Sequence, residues 1–438
     1  MAAEVGKAGE EGAGAGAGAK QRFNLKAGCE LRLEVGKPEA GGVAVTLLSG
    51  ACEVFGAEVA AGQRLALGPG QKLAFFTYFG AQLEVEGQPE VLYEADETPM
   101  TSYANTHAVL EARRKAAAQA KAPGPRVMVV GPTDVGKTTL CKILTNYAVR
   151  MGWAPLVADL DIGQGMITVP GTIAATPVEN IITPETEVPQ DIPLAFWYGH
   201  ASAQENQQLY KRLVKRMADL LDSYQASSPE GKVQSAGMFI NTMGFVEGLG
   251  YKLLQHSIKT LKVDVVLVIG HERLYSQISS ELKQEKHISV VKLAKSGGVV
   301  QRETPVRKAD RDLRVKKYFY GVAGDLSPVS NSIPFDAVEL FRVGGGPKAP
   351  TSALPIGASS ASDPLRLAKV APGRDLVNSL LAVSHADKPV GLVAANVAGF
   401  IHVNDVDMAN RVIKYTAPCP GPLPSKYLML GTVKCWLS

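Results

Sequence analysis

Cysteine is scarce in this chain of 438 residues: Cys29, Cys52, Cys141, Cys419 and Cys435 are all there are, and no two form a CxxC pair. That excludes a disulfide-framed scaffold and a cysteine-rich zinc module, and it predicts buried thiols in a reducing compartment. Seven histidines include no pair at i, i+4, so a zinc site has no support either. Charge of one sign is also lacking. A net +4 gives a weak whole-molecule field, so any nucleic-acid contact must come from a local patch. Long apolar runs are missing, which excludes a membrane span. The opening "MAAEVGKAGEEGAGAGAGAK" has no apolar core and carries acids, so it reads as a flexible tail and not as a signal peptide. The expectation is a soluble, intracellular protein.

What is present is ordinary globular composition, 46% hydrophobic and 20% charged, in a chain long enough for two or three domains. From Phe23 to Ala95, "CELRLEV", "GVAVTLL", "CEVFGAEV", "KLAFFTYFG" and "AQLEVEG" alternate with period 2 between turn residues, predicting a small β sandwich or barrel. A helical stretch then runs to the breaker "PGP" at 123–125. The middle alternates apolar strands ("RVMVV", "APLVADL", "AGMFIN", "VDVVLVI", with "ISVVKL" as a further candidate) with helices (Thr138 to Met151 and "LYKRLVKRMADLLDSY"). Such alternation predicts an α/β domain with a parallel sheet covered on both faces. Beyond Gly321 the pattern returns to β. The expected organisation is a Gly/Ala tail over 1–21, an N-terminal β domain over 22–105, a central domain over 106–321 and a smaller β-rich domain over 322–438.

One stretch carries chemistry outright. Gly131-x-x-x-x-Gly136-Lys137-Thr138 lies between an apolar strand and a helix, which is the context a phosphate-binding P-loop requires. Glycines let backbone N–H groups close on phosphate oxygens, the helix start adds partial positive charge, and lysine neutralises the outer phosphates. Thr138 supplies a hydroxyl for Mg²⁺. No base-reading NKxD follows the relevant strand; "NTMG" stands there, which argues against a GTPase switch. In "DLDIGQG" (159–165), Asp161 is placed to orient an acceptor hydroxyl or hold a metal through water, the bland alternative being a loop carboxylate. Residues 302–317 hold seven Arg/Lys against three acids. Thr304-Pro305 predicts a helix start there, and Arg307, Arg311 and Arg314 fall on one face. Arg307 sits in the first turn, where the dipole disfavours a cation and a phosphate partner would explain it. A solvated basic face is the alternative.

Together, "VMVVGPTDVGKTTLCKILTNYAVR", "LDIGQG", "VPGTI", "VDVVLV", "KSGGVV", "KYFYG", "LPIG", "PGRDLV", "VAGFI", "ELRLEV" and "DETPMTSYANTHAVLE" resemble the family of eukaryotic polyribonucleotide 5′-hydroxyl kinases that also serve as a subunit of pre-mRNA cleavage factor II. The resemblance covers nearly the whole chain after the tail. It implies an N-terminal β sandwich, a central P-loop kinase domain and a smaller C-terminal domain. It implies transfer of the γ-phosphoryl of ATP, with Mg²⁺, to an RNA 5′-hydroxyl in the nucleus. It places ATP on Asp134, Val135, Gly136, Lys137, Thr138 and Thr139, and also on Glu30 and Lys72 of the N-terminal domain. Lys137, Asp161 and the lid arginines Arg302 and Arg307 carry the reaction. Ser202, Asn206 and Phe245 match RNA contacts. The implied partners are RNA 5′ ends, the large scaffold subunit of cleavage factor II and the tRNA-splicing endonuclease, with no membrane.

Two departures stand out. The family's active kinases carry a Thr-Pro-Gly-x-Asn clasp where this chain has Ser202-Ala203-Gln204-Glu205-Asn206, and "NTCGW" is "NTMGF" here. Phe245 still offers a ring on which a base can stack. Some fungal members bind ATP without kinase activity, so an ATP-holding scaffold subunit is the second reading.

Overall fold

The computed structural model describes residues 20–36, 42–189, 193–227, 231–322, 324–344 and 363–437. The Gly/Ala tail through residue 19 and the "LPIG" stretch lie outside the described residues. The chain divides into two compact units.

The first unit, ending at Asp96, holds β1 (Lys20–Leu25), β2 (Glu30–Glu34), β3 (Val43–Gly50), β4 (Cys52–Val54), β5 (Ala57–Val59), β6 (Arg64–Leu67), β7 (Lys72–Phe76), β8 (Ala81–Glu86) and β9 (Val91–Ala95). They form two sheets, ordered β1-β8-β3-β6 and β5-β4-β7-β2-β9. The strands fall where the alternation predicts them, but burial does not alternate in all of them: Glu30 and Arg32 of β2 are buried along with Leu31 and Leu33, and β4 is buried at every position. In β6, Leu65 and Leu67 are buried while Arg64 and Ala66 are exposed. A one-residue slip would turn every such pair inside out, so the pattern sets the register.

The second unit begins with α1 (Met100–Ala120), β10 (Arg126–Val130), α2 (Lys137–Arg150), β11 (Leu156–Asp159), β12 (Thr172–Pro177), β13 (Leu194–Trp197), α3 (Gln207–Ala226) and α4 (Lys232–Ala236). It continues with β14 (Met238–Asn241), α5 (Leu249–Thr260), β15 (Val265–Ile269), α6 (Glu272–Glu281), β16 (Ser289–Leu293) and α7 (Thr304–Tyr320). The sheet order is β13-β12-β11-β14-β10-β15-β16. Strands β11, β14, β10, β15 and β16 run parallel, as their continuous apolar sequences predict; β10 and β15 are buried at every position. The sheet is mixed, however: β12 and β13 are antiparallel additions. "TIAATP" and "LAFW" are short, and they carry neither alternation nor a long β-branched run, so sequence periodicity passes over them. The P-loop, the Asp161 loop and "NTMGF" follow the carboxyl ends of β10, β11 and β14. That is the edge where α/β sheets bind ligands.

Beyond α7 come β17 (Val329–Pro334), β18 (Glu339–Val343), β19 (Leu367–Val370), β20 (Ser379–Ser384), β21 (Val397–Asp407), β22 (Val412–Ala417) and β23 (Tyr427–Lys434), in one sheet ordered β17-β22-β21-β20-β23-β18-β19. Leu381, Val403, Ile413 and Leu428 centre its core. Two local expectations change. The cap of α7 is Glu303, with Thr304 already helical, because the turn begins one residue earlier than a threonine cap would require. Cys419 is exposed, whereas Cys52, Cys141 and Cys435 are buried as expected. Among the described residues no helix is long and apolar enough to cross a membrane.

The C-terminal sheet is fastened to the end of β13 by backbone. The Thr432 N–H donates to the Gly199 carbonyl at 2.7 Å. A Cβ on Gly431 would lie 2.0 Å from that same oxygen. Because backbone cannot swing aside as a side chain can, Gly431→Ala should cost about 1–3 kcal/mol, the range for overpacking. Thermal melting tests this; a melting temperature equal to the parent's would refute the close approach.

Candidate active site

The P-loop is shaped by what its glycines lack. A Cβ on Gly131 would lie 2.9 Å from Val135 Cγ2 and 3.0 Å from the Ile269 carbonyl, so β15 leaves no room for one. Gly136 takes φ +91° as the residue before α2, a left-handed value that favours glycine. No side chain caps α2, which leaves the N–H groups around Lys137, Thr138 and Thr139 for a ligand. Lys137 is buried, and its Nζ donates to the Pro132 carbonyl at 2.7 Å. Burial pulls its pKa below the usual lysine value, while the Asp161 carboxylate, the strongest opposing charge, works to keep it protonated. A Cβ-free cradle, an uncapped helix start and a buried amine fit nucleotide phosphates.

The carboxylates after β11 divide their labour. Asp159 is buried: its Oδ1 accepts from the Asp161 N–H at 3.1 Å and Asn241 Nδ2 at 2.9 Å, and its Oδ2 from the Met166 N–H at 2.5 Å. Burial, then repulsion from Asp161, raises its pKa to about 7 against these hydrogen bonds. Asp161 is half-buried and commits Oδ1 to the Gly163 and Gln164 N–H groups, both at 3.0 Å. Burial raises its pKa too, with Lys137 the chief opposing charge. Asp159 therefore shapes the loop, and Asp161 is the carboxylate presented by it. The loop-carboxylate reading describes Asp159, and the two backbone hydrogen bonds to Oδ1 of Asp161 belong to the same kind of turn.

"NTMGF" packs against the loop. The Thr242 hydroxyl donates to the Val129 carbonyl at 2.8 Å, and a Cβ on Gly244 would meet the Thr133 N at 2.5 Å. Phe245 follows, half-buried. Sequence reading missed Asn241 and Gly244; their position directly after an apolar strand beside the P-loop strand was the available signal.

Arg302 and Arg307, expected to form a lid, flank the start of α7. Asp134 holds both predicted arginines: its carboxylate accepts Arg302 N and Nε at 3.0 Å each and Arg307 Nη2 at 2.8 Å. Arg302 Nη1 reaches Asp310 at 2.8 Å, and Gln164 Nε2 donates to the Arg307 carbonyl at 3.2 Å. Further along, Arg314 ion-pairs with Glu187 and donates to the Met166 carbonyl, while Lys317 meets Glu187 at 2.7 Å. Arg314 is thus a strut of the lid's far end. No sequence signal marked Glu187.

The clasp region has a different construction from the one expected of it. Asn206 caps α3, accepting from the Leu209 N–H at 3.0 Å. Its backbone N–H donates to the Tyr198 hydroxyl at 3.0 Å and its Nδ2 to the Pro364 carbonyl at 2.6 Å. Gln204 is not among the residues with positive φ, so this turn forms without the conformation reserved for glycine. Ser202 is exposed. In the first unit, Glu30 is buried and accepts from Arg32 Nε at 2.5 Å, and Lys72 pairs with Glu34 at 2.5 Å.

Comparison with known proteins assigns this architecture. Residues 131–321 match the family described as mRNA cleavage and polyadenylation factor CLP1 P-loop, 326–437 match pre-mRNA cleavage complex II protein Clp1, and 24–117 match the N-terminal β-sandwich domain of polyadenylation factor. A CLP1 homolog of Arabidopsis thaliana is 45% identical over 433 residues, 97% of this chain and 96% of that one. The chain belongs to the CLP1 family. Another relative, the Gallus gallus protein named polyribonucleotide 5′-hydroxyl-kinase Clp1, is 39% identical over 94% of this chain and 96% of its own length. Among solved structures, Clp1p with Pcf11p superposes with a TM-score of 0.83 at 20% identity, over 96% of this chain and 100% of that one, which establishes the shared fold.

Burial alone would raise the Glu187 pKa, but Arg314 and Lys317 outweigh it and hold the carboxyl at about 2. A depressed folded pKa means this stabilisation is present above the unfolded value near 4.3 and is lost as pH falls toward about 2. Glu187→Gln should remove about 2–3 kcal/mol at neutral pH and flatten the pH dependence of melting between about pH 5 and 3. Parallel melting curves for mutant and parent across that window would overturn the assignment.

Proposed function

We propose that the chain is an ATP-dependent RNA 5′-hydroxyl kinase that works in the nucleus as a subunit of the mRNA 3′-end cleavage machinery. The observation that carries this is the convergence, at the carboxyl edge of one sheet, of a buried P-loop lysine, a presented carboxylate and two lid arginines held at the loop. The 39% identical relatives named polyribonucleotide 5′-hydroxyl-kinase support the same reading.

In this proposal, ATP phosphates lie on Asp134 through Thr139, with Lys137 neutralising charge on the β and γ groups. Mg²⁺, if bound, would supply further neutralisation, and the Thr138 hydroxyl is the group that would hold it. Among the described residues no cluster of three or more His, Cys, Asp or Glu side chains could hold a metal by itself. Asp161 accepts a hydrogen bond from the RNA 5′-hydroxyl. As the new O–P bond forms and the bond to the bridging oxygen of ADP breaks, the hydroxyl proton passes to Asp161 and on to solvent. Arg302 and Arg307 offset the charge spread over the transferring group. Glu30 and Lys72 are proposed nucleotide contacts, and Ser202 and Phe245 proposed RNA contacts. Asn206 contributes by capping α3. The proposed protein partner is the large scaffold subunit of cleavage factor II, since the solved neighbours are complexes of Clp1p with Pcf11p.

The deciding experiment offers a 5′-hydroxyl oligoribonucleotide and γ-labelled ATP to the purified protein; absence of label transfer would defeat the proposal. Lys137→Ala should abolish the melting-temperature rise produced by Mg-ATP. Asp161→Asn should keep that rise and lower transfer about 10²-fold or more, the scale for a positioned base. Weakened ATP binding with near-normal turnover would make Asp161 a metal-site residue.

A scaffold reading rests on the altered clasp, where the family's proline and glycine are replaced by Ala203 and Gln204. If clasp geometry limits transfer, the pair Ala203→Pro and Gln204→Gly should raise phosphorylation with ATP affinity unchanged. A silent parent and an equally silent double mutant, both binding ATP, would favour the scaffold.

A further inference from the structure

A carboxylate stands in the part of the molecule least suited to one. Asp134 lies within the phosphate loop, where a negative charge opposes the ligand the loop is built for. Its backbone is also left-handed, φ +54°, in a residue that is not glycine. Its side chain is only 4% exposed. Burial opposes ionisation, but the Arg302 backbone N–H and the two guanidinium groups outweigh it and hold the carboxyl below its usual range.

The carboxylate oxygens are divided between the two arginines. Oδ1 meets Arg302 Nε and Nη2, both at 3.0 Å, and Oδ2 meets the Arg302 backbone N–H at 3.0 Å and Arg307 Nη2 at 2.8 Å. Two guanidinium groups drawn to one point repel each other, and Arg307 is further disfavoured by its place in the first turn of α7. The residue capping α7, Glu303, makes no side-chain capping bond that could offset this. Asp134 supplies the negative charge between the two guanidinium groups, and Asp310, 2.8 Å from Arg302 Nη1, is the second acid of the cluster. Arg307 Nε is buried and makes no hydrogen bond within the protein.

Resting on the kinase reading above, we infer that Asp134 is a positioning residue: its side chain fixes Arg302 and Arg307 at the phosphate loop, where their charge meets the transferring phosphoryl group. Phosphate is then held by the loop's backbone and Lys137, and the Asp134 side chain acts through the arginines.

The test uses the full chain with Asp134→Asn, because asparagine tolerates the left-handed backbone and loses only the charge. The turnover rate for 5′-phosphorylation should fall about 10- to 100-fold, the scale of a misplaced charge-stabilising group, while KM for ATP moves less than about 3-fold. Asp134→Asn added to the pair Arg302→Ala and Arg307→Ala should slow transfer no further, since the carboxylate acts only through those two arginines. Losses that multiply, or ATP binding lost outright, would overturn the inference. Hydrogen exchange gives an arm independent of activity. Without nucleotide, amides over residues 300–308 should exchange faster in Asp134→Asn, with those over 309–320 unchanged. Unaltered exchange at 300–308 would sink the positioning role even in an active enzyme. A parent that transfers no phosphate but shows the exchange difference would defeat the kinase reading and leave the anchoring of the lid standing.

Discussion

The buried carboxylate of Asp159 is the point on which the site's geometry depends. It gathers the Asp161 backbone, the Met166 backbone and the Asn241 side chain onto two oxygens at the end of β11. Those bonds bend the chain into the turn that presents Asp161, and they tie β11 to β14, its neighbour in the sheet. Met166, whose N–H is thus fixed, offers its carbonyl to Arg314 of α7. The carboxylate that orients the turn therefore also sets the seat of the lid. A charge so enclosed is costly unless fully hydrogen-bonded, which is why three donors converge on it.

The lid is held at both ends by acids from different parts of the chain. Asp134 takes its first turn, and Glu187 takes Arg314 and Lys317 toward its other end. Toward its C-terminal end α7 is also packed: Val315 and Phe319 are buried and the Tyr318 hydroxyl accepts from the Phe400 N–H at 3.0 Å. Its first turn has no buried apolar residue, so there the ion pairs to Asp134 carry the placement.

Much of this was legible beforehand. The strand–loop–helix context of Gly131 to Thr138 and the alternation in the first unit follow from local sequence, because each depends on neighbours within a few residues. The family resemblance located Arg302 and Arg307. What stayed hidden depends on distant neighbours. Glu187 has no motif, and its role exists only because α7 folds back onto it. Asn206 looked like a contact for ligand, yet it caps α3 and reaches the Pro364 carbonyl, a partner 158 residues away. The antiparallel strands β12 and β13 escaped notice since short segments rich in Ala and Thr carry no period. The Gly199–Gly431 contact was invisible because it involves no side chain at all.

The segment from Gly199 to Asn206 is bound to the C-terminal sheet and its flank at both ends, through Thr432 to Gly199 and through Asn206 to Pro364. His200 adds a third tie, Nδ1 lying 2.9 Å from the Thr432 hydroxyl. A free surface loop of this length would flicker on nanoseconds. This one can shift appreciably only if the sheet behind it shifts too, and packed sheets move collectively on microseconds to milliseconds. The slowest motions of this segment are thereby geared to the C-terminal sheet.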